Sequence, residues 1–395
     1  MRISTTWMQQ SAINDILDRQ SQMADTQRQL SSGKRILNAS DDPVAAAQVL
    51  KLQHVEAANQ QYQRNIDSAN GRLGLEETSL NQVTGILQRV RTLALQGTNA
   101  SQTPSDRVAT ATELRQLFSQ LVQVSNGTDA QGDALFAGNA VRATPFVQNA
   151  GFDVSYKGDD GQRMVAAAPG MQVATGDPGS DVFMNIPAGN GRFAVQAGAT
   201  NTGALVVGAS SVIDSGAYTG GAYTITFAAD GTWQAADSAG NIAGTGSYDG
   251  HGAIAFGGMQ IQLDGEPAAG DTLSVQSGST QSMFASVGRL IDAFESMPPG
   301  PASSNVVNRQ IEGIDRSLQR VLDVQARIGA RMNTLDQQKS TEADLHVQNQ
   351  GAISNLQDVD MASAIGKLNL QQVALQAAQQ TYIKVQGMSL FDFLK

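Results

Sequence analysis

Residues 43–97 read PVAAAQVLKLQHVEAANQQYQRNIDSANGRLGLEETSLNQVTGILQRVRTLALQG, and the spacing of their side chains decides the fold. Leu52, Val55, Asn59, Tyr62, Ile66, Ala69, Leu73, Glu76, Leu80, Val83, Leu87, Val90 and Ala94 step alternately by three and four positions. That alternation puts them on one stripe of an α-helix and is the repeat of a coiled-coil seam. Asp42 is a good N-cap, Pro43 fits the first helical position, and Gly97 closes the helix. An unbroken helix of about 55 residues would be about 80 Å long, more than a compact domain needs.

A matching helix lies near the other end of the chain. Val307, Ile311, Ile314, Leu318, Val321, Gln325, Ile328, Met332 and Leu335 keep the same alternation. Lys339, Glu342, His346, Asn349, Ile353 and Leu356 continue it with a more polar middle. Two long helices of equal length, far apart in sequence, pair most simply antiparallel. Shorter helices flank them. Thr103-Pro104-Ser105-Asp106 has the form of a capping box opening a helix with Ala111, Leu114, Phe118 and Leu121 on one face. Phe284, Val287, Ile291 and Phe294 mark another, stopped by Pro298, Pro299 and Pro301.

Outside these arms, the two ends read as narrow apolar stripes diluted by Gln, Ala and Ser. Gly33 is a plausible C′ residue for the first, and Asn38 to Pro43 is a break. An isolated pair of such helices buries little apolar surface. The ends are therefore expected to order fully only when neighbouring subunits supply the missing contacts. The candidate packing residues are Ile3, Trp7, Ile13, Ile16 and Leu30 at one end, and Ile365, Leu368, Leu375, Tyr382, Leu390 and Phe393 at the other.

The middle changes character. Phe152 to Tyr156, Asp181 to Ile186, Tyr223 to Phe227, Met259 to Leu263 and Thr272 to Val275 read as strands. Asp230-Gly231, Asp249-Gly250 and Asp264-Gly265 read as turns between them, as do Gly244 and Gly246. The expected fold is mainly α with an inserted β-rich segment, a small sandwich or barrel. Three parts follow: residues 1–42 with 358–395, residues 43–145 with 281–357, and the β-rich insert 146–280.

Composition narrows the function. Hydrophobic residues make up 41% and charged residues only 16%, so the surface is polar with few ions to desolvate when copies pack together. A net charge of -10 with scattered Lys and Arg leaves no basic patch for nucleic acid. There is no cysteine, hence no disulfide and no thiolate metal site. No Sec-type signal pattern opens the chain, and no apolar run approaches the roughly 20 residues that span a bilayer. His54, His251 and His346 form no metal or catalytic pattern. Lys34 lacks the glycine a phosphate loop needs, and Asp159-Asp160-Gly161 reads as a surface turn. No catalytic residue, cofactor or metal is expected.

Specific motifs join this pattern. Leu30-Ser31-Ser32-Gly33-Lys34-Arg35 followed by Asn38-Ala39-Ser40-Asp41-Asp42-Pro43 resembles the N-terminal signature of the bacterial flagellin family. Gln325-Ala326-Arg327-Ile328-Gly329-Ala330-Arg331-Met332-Asn333 resembles the C-terminal one. Met1-Arg2-Ile3-Ser4-Thr5, the run from Asn126-Gly127-Thr128-Asp129 through Leu135-Phe136-Ala137-Gly138 to Pro145-Phe146, and the close Leu390-Phe391-Asp392-Phe393-Leu394 are similar to the members that join hook to filament. The resemblance covers both helical arms, over half of the chain, and matches no pattern in the insert.

The resemblance implies an extracellular structural subunit that exits by the flagellar type III route. Its ends would form an inner tube, its heptad arms the next shell, and its β-rich part would face outward. It implies a ring of identical subunits in a helical lattice, between hook-associated protein 1 and flagellin, and an export chaperone on the C-terminal segment. Two other classes compete: a surface adhesin or glycan-binding protein working through the insert, and an enzyme such as a peptidase hosted there. Within the flagellin family, a filament flagellin is the alternative.

Overall fold

The computed structural model describes residues 5–98 and 103–387. The chain divides into two compact units: Met1–Arg64 with Gln338–Lys395, and Asn65–Gln337.

In the first unit, α1 (Thr5–Ser32) ends at Gly33, whose φ of 72° is the left-handed cap expected there. α2 (Pro43–Gly97) begins with Asp42 accepting the Ala45 N–H at 3.0 Å. Its first turns lie beside the end of α5 (Pro301–Gln357), and α6 (Met361–Gly387) follows. The seam here differs from the heptad reading. Val55 is exposed, whereas Val49 and Glu56, outside the heptad stripe, are buried; Asn59 is buried where the heptads place it. Glu56 takes the inward position because His346 of α5 reaches it and pairs with it. Polar partners fill a layer that apolar side chains would fill elsewhere.

In the second unit the two long helices run antiparallel. Asn70 meets Asp336 at 3.0 Å, Asn81 meets Gln325 at 2.9 Å, and Arg91 meets Asp315 at 2.6 Å. Ile66, Leu73, Leu80, Val83, Leu87 and Val90 face Val307, Ile314, Val321, Ile328 and Leu335 in one core. α3 (Pro104–Ser125), opened by the Thr103–Asp106 capping box, and α4 (Met283–Ser296) close over it. Arg107 is buried between them and donates to the carbonyls of Ala293 and Met297 at 2.9 and 3.1 Å.

The β-rich segment contributes to two cores. Hairpins β1 (Phe146–Gln148) with β2 (Val154–Tyr156), and β3 (Met164–Ala168) with β4 (Met171–Ala174), pack on the helices. The stretch read as a strand at Asp181 to Ile186 is instead a π-helical turn over Ser180–Met184. An alternating strand would send Val182 and Phe183 to opposite faces; the turn buries both against the helices. A short pair, β5 (Ile186–Pro187) with β14 (Thr280–Gln281), marks entry and exit.

Between them stand β6 (Phe193–Ala197), β7 (Val206–Val212), β8 (Tyr223–Phe227), β9 (Thr232–Asp237), β10 (Ile242–Ser247), β11 (His251–Phe256), β12 (Met259–Asp264) and β13 (Thr272–Ser277). A five-stranded sheet ordered β10-β9-β8-β13-β6 and a three-stranded sheet ordered β11-β12-β7 share a second core around Phe227, Trp233, Ile254, Ile261 and Leu273. Asp230-Gly231, Asp249-Gly250 and Asp264-Gly265 do turn, with positive φ at each glycine. Gly244 and Gly246 do not: they lie within β10, where the Trp233 and Phe256 rings occupy the space of a side chain. A Cβ on Gly246 would come 2.8 Å from the Trp233 Nε1.

Candidate subunit-packing surface on the terminal helices

The motif residues around Gly33 and Asp42 build the junction that pairs α1 with α6. The Arg35 N–H donates to the Gln357 carbonyl at 2.7 Å and the Val359 N–H to the Gly33 carbonyl at 3.0 Å. The Arg35 guanidinium reaches the Leu356 carbonyl at 2.7 Å and Asp42 at 3.3 Å. Asp41 accepts the Asn38 and Leu37 N–H groups at 2.8 and 2.9 Å, which hold its carboxyl below the usual range. The Ala45 N–H does the same for Asp42. Asp360 caps α6 through the Ala362 and Ser363 N–H groups. The two turns are thus knitted into one clasp, and the helices leave it side by side. Further along, Gln371 donates to the Gln22 carbonyl at 3.5 Å, so they run antiparallel.

The seam between them is thin. Among the described side chains of α1 and α6, only Thr26, Ala364 and Leu375 are buried. Of the predicted packing residues, Leu375 therefore faces α1 within the same chain. Ile16, Leu30, Leu368 and Tyr382 are half-buried. Trp7, Ile13 and Ile365 are exposed, Trp7 at 66%. Ile3, Leu390 and Phe393 lie outside the described residues.

Other large apolar side chains stand out further. Leu17 is 55% exposed, Val373 65%, Ile383 66% and Leu370 72%. The sequence reading put Leu17 on no packing list and passed over Leu370, Val373 and Ile383. Their signal was available: the only charged residues of α6 are Lys367 and Lys384, so apolar residues run round its whole circumference. A helix apolar on all sides needs cover on all sides, and α1 covers one. Burying an exposed Leu, Val or Ile side chain is worth about 1.5–3 kcal/mol.

The described residues hold no cluster of His, Asp and Glu that could bind a metal ion, and no helix long and apolar enough to cross a membrane.

Comparison with known proteins gives this geometry a context. Residues 3–141 match the bacterial flagellin N-terminal helical region. Flagellar hook-associated protein 3 of Salmonella typhimurium is 27% identical, over 99% of both chains. The crystal structure of Xanthomonas campestris FlgL is 32% identical and superposes with a TM-score of 0.68, covering 73% of this chain and 99% of that one. The flagellar junction protein FlgL from Legionella pneumophila is 30% identical with a TM-score of 0.71, covering 79% and 100%.

The chain belongs to the flagellin family, on its hook-associated protein 3 branch. Its relatives on that branch are structural proteins of the flagellum. The flagellin-family signature at Gly33–Pro43 has a physical role here: Arg35, Asp41 and Asp42 make the clasp from which both terminal helices depart. The second signature, around Arg327 and Arg331, serves differently. Those arginines bind Asp177 and Asp181 and fasten the segment after β4 to α5.

Proposed function

We propose that this chain is the flagellar subunit that joins hook to filament, and that it assembles by burying the outward apolar face of its terminal helix pair. The observation that carries the reading is the exposure of Trp7, Leu17, Ile365, Leu370, Val373 and Ile383 on helices of which only three described side chains are buried. Apolar surface left by one copy is completed by the next, so association is driven by the same term that folds a core.

In this reading residues 1–42 with 358–395 form the inner tube, and Ile3, Ile13, Ile16, Leu30, Leu368, Leu375, Tyr382, Leu390 and Phe393 take part in its packing. Residues 43–145 with 281–357 form the surrounding shell, and 146–280 faces outward. Copies form a ring that continues the helical lattice, with hook-associated protein 1 on one side and flagellin on the other. The subunit travels through the flagellar export apparatus, its C-terminal segment held beforehand by a chaperone. The work is mechanical, with no reaction. Similarity to hook-associated protein 3 over essentially the whole chain supports a junction subunit over a filament flagellin, since the flagellin of Clostridium tyrobutyricum matches over 36% of this chain.

Gene deletion with electron microscopy tests this. Loss of a junction subunit leaves hooks without filaments and releases unpolymerised flagellin into the medium. A labelled copy marks only the hook–filament boundary. Label along the whole filament, or normal filaments after deletion, would overturn the reading.

A further inference from the structure

On α5, Asn305 and Asn308 hold the edge strand β7. Asn305 accepts the Val207 N–H at 2.6 Å and donates to the Leu205 carbonyl at 2.8 Å; Asn308 donates to the Val207 carbonyl at 3.1 Å. Strand β6, the edge of the other sheet, runs next to β7 with no ladder between them. The two edges and α5 leave a pair of adjoining open clefts, of about 470 and about 310 Å3. Both are walled by Val195, Val207, Asn305 and Arg309. Met297 and Val306 add apolar surface to the larger, Leu95 and Ile311 to the smaller.

Arg309 is the charged group common to both lobes. It is half-buried, yet it has no ion pair or hydrogen bond among the described residues. Of the half-buried or buried arginines, Arg72, Arg91, Arg107, Arg320 and Arg331 have partners; Arg309 and Arg316 have no ion pair or hydrogen bond among the described residues. Burial lowers the pKa of Arg309, and the charge of Arg289 acts in the same direction. The neighbouring acid, Glu312, is pushed up by burial and pulled the other way by the charges of Arg316 and Arg309. A guanidinium with no direct ion pair thus sits between two lobes of mixed apolar and polar lining, with Glu312 in the wall of the smaller one. A cation in that state gains most from a carboxylate brought in from outside.

We propose that this cleft binds an extended acidic segment of another polypeptide, with an Asp or Glu side chain on Arg309 and an apolar side chain in each lobe. Open lobes on either side of one charge fit a chain passing across better than an enclosed small molecule. In extended chain every second side chain points the same way, so the required pattern is apolar-x-acid-x-apolar. The site is separate from the terminal helices and independent of the assembly proposed above.

The test uses the purified full-length chain and a fluorescent peptide, acetyl-Val-Ser-Glu-Ser-Leu-amide, followed by anisotropy. Saturable binding is expected, at least tenfold weaker for the same peptide with Gln in place of Glu and for the Arg309→Met variant. Glu312→Gln removes the competing acid and is expected to bind equally well or more tightly. Should Arg309→Met fail to fold, the Gln peptide and Glu312→Gln still decide. Equal binding of the Glu and Gln peptides, no saturable binding of either, full affinity in a folded Arg309→Met, or lost affinity in Glu312→Gln would each overturn the proposal. Octanoate competing as well as the peptide at equal concentration would also overturn it, since a free carboxylate would then suffice.

Discussion

Glu76 accepts the backbone N–H of Asp177 at 3.1 Å, and Asp177 in turn is chelated by the Arg331 guanidinium at 2.9 and 3.0 Å. Glu76 stands on α2, Arg331 on α5 and Asp177 in the loop after β4, so one polar node ties three segments. Both acids are buried, and Gln162 supplies Asp177 with another hydrogen bond at 3.0 Å. Asp177 has a cation of its own; Glu76 does not, and its Oε2 has no partner. Burial first, and the Asp177 charge next, push the Glu76 carboxyl up to about 8. Arg331 and Arg72 pull only partly the other way.

This makes stability depend on pH with a definite sign. An acid whose folded pKa is raised is more protonated in the folded chain, so its contribution is complete below the ordinary value of 4.5 and is lost as pH rises through about 8. Between pH 5 and pH 9 the wild-type chain is expected to lose on the order of 2–4 kcal/mol relative to Glu76→Gln, which stays neutral throughout. Urea unfolding of both chains at pH 5, 7 and 9 measures it. Parallel curves across that range would show that Glu76 titrates normally.

Arg331→Met removes the guanidinium that chelates the buried Asp177 carboxylate and leaves it only the more distant Arg327, at 3.8 Å. Removing one member of a buried pair costs about 3–5 kcal/mol, and removing both costs less. Asp177→Asn combined with Arg331→Met is therefore expected to recover a good part of the loss. Denaturant midpoints of the two single variants and the double variant complete the cycle, and simple additivity would contradict the pairing.

Both signature regions were legible as patterns before their chemistry was. The heptads located α2 and α5 because Ile66, Leu73, Leu80 and Leu87 repeat without interruption, and they face the predicted partners. The same rule failed at Val55, because an apolar residue next to Glu56 looks like the better seam residue until His346 is known to lie opposite. At Asp181 to Ile186 short-range alternation favoured a strand, and only the core made by Phe136, Phe146 and Phe284 explains why Val182 and Phe183 turn inward together. On α6 the listing of one stripe hid the outward residues, since a helix with apolar side chains all round has no single stripe to find.

Gly288 illustrates a constraint that no local pattern carries. It lies inside α4, where glycine is usually a poor choice, and it faces the Phe152 side chain closely enough that an added Cβ would overlap the Phe152 Cβ. Gly288→Ala gains helix propensity but forces the segment at Phe152 away from Phe118, on which its ring packs edge-on at 5.2 Å. A net loss of about 1–3 kcal/mol is expected from overpacking. Thermal unfolding distinguishes this from the gain of about 1 kcal/mol that propensity alone would give.

The terminal helices separate folding from assembly. Leu375 is 9% exposed and shares a face with Gln371, which reaches α1; Leu370 and Val373 point outward. Leu375→Gln is expected to weaken the α1–α6 pair, visible as lost helical ellipticity in the monomer. Leu370→Gln with Val373→Gln removes nothing the monomer buries, so its ellipticity and midpoint should stay within about 0.5 kcal/mol of wild type. Incorporation into flagella should nevertheless fail, because the outward face can no longer be buried against a neighbour. Immunoblots of sheared flagella and swimming in soft agar read that outcome. If the double variant assembles and swims like wild type, the outward face is not what holds the subunits together.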